Sequence, residues 1–138
     1  MNIKTFKYDQ VGLHRFFGPL EAKIMKYLWD NNEQSIKAVQ QHLDIDKPIN
    51  FNTVMTVMNR LVEKGILEKR TEGRLSLFCP VQSKEEFIEE QSKKITENLL
   101  DEFGGAVINH MLDAMKDVDQ SLLDKLEQKI KSLKKDKK

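Results

Sequence analysis

The chain has 138 residues, 33% charged and 39% hydrophobic, a balance that suits one domain, or a small domain with a helical appendage, around a core of useful size. No apolar run approaches membrane-spanning length, and the opening Met-Asn-Ile-Lys-Thr-Phe-Lys-Tyr-Asp lacks the apolar centre of a signal peptide, so no membrane insertion and a cytoplasmic location are expected. Net charge is only +1, but residues 1–80 carry 12 Lys and Arg against 9 Asp and Glu while residues 81–138 carry 11 against 13, so the basic excess sits in the first part of the chain.

Residues 1–16 hold Phe6, Tyr8 and Phe16 without a clear period and are expected to form an irregular N-terminal arm. Gly18-Pro19 opens a first helix, with proline at the first helical position and Glu21 in the first turn, both favourable at a helix N-terminus. Leu20, Ile24, Met25 and Leu28 form its apolar stripe, Tyr27 and Trp29 lie beside it, and Asn31-Asn32 ends it. Ser35 caps a second, shorter helix with Ile36, Val39 and Leu43 on one side and Lys37 and Gln40-Gln41 facing out. Asp44 to Asn50, broken by Pro48, is read as a turn.

The next stretch organises the rest. Val54, Val57, Met58 and Leu61 recur at the spacing of one helical stripe, leaving Asn52, Thr53, Met55, Thr56, Asn59 and Arg60 on or beside the opposite face. These are short polar, methyl-bearing or guanidinium groups that reach base edges and phosphates. Gly65 stands where a helix takes a left-handed C′ residue. Ile66 to Arg70 and Arg74 to Cys79 then read as two strands around a Glu72-Gly73 turn, with Arg70 and Arg74 at the tip. Cys79 reads as a small apolar residue on a buried face with Leu75 and Leu77. As the single cysteine it excludes an internal disulfide, and His14, His42 and His110 are too scattered for metal spacing, so no metal and no cofactor are expected.

Helix, helix, turn, helix and basic hairpin is the order of a winged helix-turn-helix domain, assigned here to residues 17–82. Three motifs carry a family resemblance: Pro19-Leu-Glu-Ala-Lys-Ile-Met-Lys-Tyr-Leu-Trp29, Asn52 to Leu67, and Gly73-Arg-Leu-Ser-Leu-Phe-Cys-Pro80. In this order and spacing the chain resembles the penicillinase-repressor family, which includes the beta-lactamase and methicillin-resistance repressors and copper-responsive relatives. The resemblance implies a dimeric repressor on a palindromic operator. It matches Asn52, Thr53, Met55, Thr56 and Arg60 to the family's DNA-facing positions and Arg74 to its wing arginine. Gly18 and Phe78 depart from the family's usual helix cap and tyrosine. The copper relatives' Cys-x-Cys pair is missing, and no Asn-Phe bond, the cleavage point implied by the beta-lactam relatives, follows Pro80.

Ser83-Lys-Glu-Glu86 is a capping box, opening residues 83–138 as a helical region. Its apolar positions are Phe87, Ile88, Ile95 and Leu99, then, past the Gly104-Gly105 break, Val107, Ile108, Met111, Leu112 and Met115, and finally Leu122, Leu123, Leu126, Ile130 and Leu133. Three amphipathic helices cannot bury such faces alone in so few residues, so they are assigned to homodimerisation.

The fold class expected is therefore mainly α with a small β-hairpin: a winged helix-turn-helix domain plus a C-terminal helical dimerisation region. Lys37, Lys69, Arg70 and Arg74 are expected to hold phosphates while the Asn52 to Arg60 face reads bases. Partners would be an operator in double-stranded DNA, a second copy of the chain, and an inducer or upstream sensor of unspecified chemistry. The alternative is a winged-helix module that binds protein, for which acidic or apolar residues would be expected on that helix face. No paired acid and base cluster, nucleophile elbow or glycine-rich phosphate loop supports an enzyme.

Overall fold

The computed structural model describes residues 12–136; residues 1–11 of the expected arm lie outside them. It has the expected architecture, and the chain divides into two compact units, residues 1–88 and 89–138. In the first unit a 3-10 turn, Gly12–Arg15, precedes helix α1 (Pro19–Asn31), strand β1 (Gln34–Ser35), α2 (Ile36–Asp46), α3 (Phe51–Glu63), and strands β2 (Leu67–Glu72) and β3 (Leu75–Pro80). Helix α4 (Lys84–Phe103) begins in this unit and leads to α5 (Gly105–Ala114), a 3-10 turn at Met115–Asp117, and α6 (Gln120–Asp136).

Each helix end has a local cause. Gly18 has no side chain to cap α1, but Glu21 Oε1 accepts its backbone N–H at 3.0 Å. Ser35 Oγ accepts from Ala38 N at 3.1 Å to start α2, and Asn50 Oδ1 accepts from Asn52 N at 2.8 Å to start α3. Helix α2 runs through Asp46 rather than stopping at Leu43 as read from the sequence. Proline bars the helical conformation only in the residue before it, so Pro48 acts on Lys47, which is extended at φ −151°, and leaves Asp44 to Asp46 helical. At the far end of α3, Gly65 adopts φ 77°, with Gly65 N donating to Val62 O and Ile66 N to Leu61 O. This is a Schellman cap, and it turns the chain directly into β2.

The sheet is antiparallel with order β1-β3-β2 and pairs Leu67 with Pro80 through Glu72 with Leu75. Two features correct the sequence reading. The hairpin turn is Gly73-Arg74, not Glu72-Gly73, because the residue that must take a positive φ, Gly73 at 63°, occupies its first position. The buried residue of β3 is Phe78, fully enclosed, while Leu75 is 52% exposed and Leu77 and Cys79 are only half-buried. Both faces of Leu75–Pro80 carry apolar side chains, so alternation alone does not choose between them. The core chooses the face that pairs with Leu67 and Lys69.

The core is built from Ile24, Met25 and Leu28 of α1, Val39 and Leu43 of α2, Val54, Val57, Met58 and Leu61 of α3, and Ile66, Leu67 and Phe78 of the hairpin. A second patch is aromatic. Phe17 and Phe87 stack at 5.2 Å between centroids, Trp29 lies 5.6 Å from Phe87, and Trp29 Nε1 donates to Gln82 O at 2.9 Å. Phe87 is completely buried, which carries the first unit past Gln82 to Ile88.

From Ser83 onward the helices are punctuated as the sequence suggests. Ser83 and Glu86 form a reciprocal capping box, Gly104 takes φ 55° between α4 and α5, and Asp119 accepts from Ser121 N at the start of α6. Helices α5 and α6 contain no buried residue among those described.

Candidate nucleic-acid interface

Helix α3 presents the face the sequence suggested. Burial of Val54, Val57, Met58 and Leu61 turns Asn52, Thr53, Thr56 and Arg60 outward as exposed residues, with Met55 and Asn59 half-buried at its margins. Thr56 Oγ1 donates to Asn52 O at 2.9 Å, which uses the hydroxyl proton and fixes the rotamer. A helix so oriented can offer amide groups, methyls and a guanidinium to a groove without unpacking its inner face.

The helix is held at both ends. At its start, Gln40 Nε2 donates to Ile49 O and Ile49 N donates to Asp44 Oδ1, both within 3.0 Å, tying the preceding turn to α2. At its C-terminal cap, Lys64 Nζ reaches Glu21 Oε2 at 2.9 Å, so the carboxylate that caps α1 also holds the end of α3. Burial pushes the Glu21 carboxyl up, but the hydrogen bonds from Gly18 and Lys64 and the charges of Lys64 and Arg60 outweigh it, and its pKa falls below 4.5. A carboxyl with a depressed folded-state pKa contributes stability above its unfolded value and loses it as pH falls through the folded one. The stability gap between wild type and Glu21→Gln is therefore expected to be full at neutral pH and to close below about pH 4.5. Urea melts of both proteins across that range check it, and a gap constant down to about pH 3 would contradict the assignment.

The expected phosphate contacts fare differently from one another. Lys37 is exposed in the first turn of α2. Lys69 lies along the inner face of the wing with its ammonium 5.7 Å from the Phe78 ring, and Arg74 occupies the turn itself, exposed and, among the described residues, without an ion pair. Arg70 is committed elsewhere: Nε and Nη2 meet the two carboxylate oxygens of Glu33 at 2.6 Å each, and Nη2 lies 3.1 Å from Glu72. That fork holds the Glu33 carboxyl below its ordinary range and pushes the guanidinium further up. Sequence reasoning missed Glu33 and the Glu21–Lys64 pair, since neither has a local signal.

Cys79 sits where the protonated thiol is favoured. Burial pushes the thiol up, and neighbouring Glu68 and Glu33 push it further. Among the described residues no group of three His, Cys, Asp or Glu is placed to hold a metal ion, and no helix is long and apolar enough to cross a membrane. A cleft of about 540 Å³ between α1 and α2, lined by Lys23, Tyr27, His42 and Ile49 among others, has charges of both signs and no acid and base pair set for chemistry.

Of the apolar positions read on the C-terminal helices, Phe87 is not free for a partner, being buried against Phe17 and Trp29; those assigned to dimerisation are solvent-accessible in the single chain. Ile88, at the end of the first unit, is 41% exposed. In the second unit Ile108, Met111, Leu112, Leu122 and Ile130 are exposed, and Ile95, Leu99, Val107, Met115, Leu123 and Leu126 are half-buried.

A three-helix core whose third helix shows a polar face beside a basic hairpin tip defines a winged-helix protein. Residues 17–132 match the model of the penicillinase repressor family, and the chain belongs to that family. It is 31% identical over 72 residues to the transcriptional regulator BlaI of Mycobacterium tuberculosis, covering 51% of this chain and 52% of that protein. It is 26% identical over 92 residues to the penicillinase repressor of Bacillus licheniformis, covering 67% and 69% respectively. The aligned region thus spans about half the length of the mycobacterial relative. Among solved structures, the DNA-binding domain of the repressor BlaI superposes with a TM-score of 0.44 at 24% identity, covering 57% of this chain and 89% of that one. The family is one of repressors, not of enzymes.

Proposed function

We propose that the chain is a DNA-binding transcriptional repressor of the cytoplasm, working as a homodimer on a palindromic operator. The observation that carries the reading is the outward face of α3, where Asn52, Thr53, Thr56 and Arg60 stand exposed on a helix pinned at both ends. Asn52 to Arg60 read base edges, and Lys37, Lys69 and Arg74 hold phosphates. The named relatives, a transcriptional regulator and a penicillinase repressor, support the same activity.

Dimerisation is supported by the second unit. Apolar side chains 38–59% exposed on α4, α5 and α6, from Leu100 to Leu133, form faces without an interior of their own, and a second copy would cover them. Two heads related by a two-fold axis would meet half-sites about one helical turn apart, or a multiple of it.

The direct experiment is selection of genomic fragments by the purified protein; recovery of fragments sharing no inverted repeat would count against the proposal. On a selected operator, Arg60→Ala is expected to weaken binding by about 1–3 kcal/mol and to relax discrimination at one position of each half-site. Equal losses on operator and random duplex would assign Arg60 to phosphate instead.

A further inference from the structure

We propose that Glu33 is a positioning residue for DNA binding, which straps the wing to the head through Arg70 and so sets where Arg74 meets the phosphate backbone. The inference rests on the DNA-binding reading and assigns the wing its support. Strand β1 pairs only Gln34 with Phe78 and Ser35 with Leu77, so the outer part of the hairpin, Thr71 to Ser76, has no third strand beside it. Nor does the core hold it: of β2 only Leu67 is buried. A two-stranded ribbon of this kind is marginal by itself and its pitch is soft.

The strap supplies what pairing does not. Arg70 and Ser35 both pair with Leu77, so they share the outer face of the sheet with β3 between them. From β2 the Arg70 guanidinium reaches across to Glu33, just before β1, in a two-point contact at 2.6 Å, and it touches Glu72 next to the turn at 3.1 Å. One planar group thereby joins the base of the sheet to its tip, and a bidentate fork fixes orientation as well as distance. Glu33 is in turn presented by a stiff bend. Asn32 takes φ 61° with its N–H on Leu28 O at 2.7 Å, and Gln34 Nε2 donates to Asn31 O at 3.1 Å.

Charge and position make opposite predictions for Glu33→Gln. If charge alone mattered, losing a carboxylate and releasing Arg70 would tighten DNA binding. If the strap positions the wing, binding weakens. The test uses the full chain and a duplex that the wild-type protein selects from a random pool. We expect Glu33→Gln to weaken binding by about fivefold, the scale of one charged two-point contact, with its salt dependence unchanged. Amide exchange at Thr71 to Ser76, read without DNA, should quicken. The exchanged pair E33R/R70E, which keeps the net charge, should return affinity to within about twofold of wild type while each single change stays weak.

Equal or tighter binding by Glu33→Gln, with a slope steeper by about 0.9 for each phosphate gained, would overturn the proposal and make Arg70 a direct phosphate contact. So would unchanged amide exchange, or an exchanged pair as weak as its single parents. A wild-type chain that selects no duplex would instead sink the DNA-binding reading, and the exchange measurement would still decide whether the strap holds the wing.

Discussion

Operator binding is expected to fall by about a thousandfold or more between 50 and 200 mM salt. Each head offers Lys37, Lys69 and Arg74 to phosphate, so a dimer makes about six such contacts, and the counterions they release give a slope of roughly −5 in log affinity against log salt. The strap sharpens this number. Were Arg70 also on phosphate the slope would approach −7, since the two heads would add a contact each. The bidentate grip of Glu33 argues for the shallower value. A titration of binding against salt over that range measures it, and a slope near zero would remove the phosphate contacts altogether.

The second large effect concerns the division of labour along the chain. A fragment ending at Ser92, which retains Phe87 with a helical turn beyond it, is expected to fold and to be monomeric. Its operator affinity should be about 10²- to 10⁴-fold below that of the full chain, because tethering two heads supplies an effective concentration that one head lacks. A fragment ending at Gln82 should behave differently. It loses the Phe87 ring from the stack with Phe17 and Trp29, and removing a fully buried phenylalanine costs about 3–5 kcal/mol. That is a large share of the roughly 5–15 kcal/mol of a typical domain, so partial unfolding is expected near room temperature. Light scattering and thermal melts of both fragments decide the matter, and a dimeric Ser92 fragment would place the self-association surface in the head.

Much of this protein is legible in sequence because its signals are local. The Ser35 cap, the Gly65 turn and the Ser83 to Glu86 box act over three to five residues. The Val54, Val57, Met58 and Leu61 stripe determines the inner face of α3 and, by subtraction, the outer face that carries Asn52 to Arg60. The apolar excess of the C-terminal helices is likewise a property of composition and period.

Only the tertiary structure decided the rest. Leu75, Leu77 and Phe78 are all apolar, and it took the shape of the core to bury Phe78 and leave Leu75 outside. Arg70 reads in the sequence as one more cation at a wing tip. Its role turns on Glu33, 37 residues earlier, just as Lys64 turns on Glu21, 43 residues earlier. Pairs at such separations leave no periodic trace, because what brings them together is the packing of α1 against α3 and of β1 against β3, and that exists only once the chain has folded.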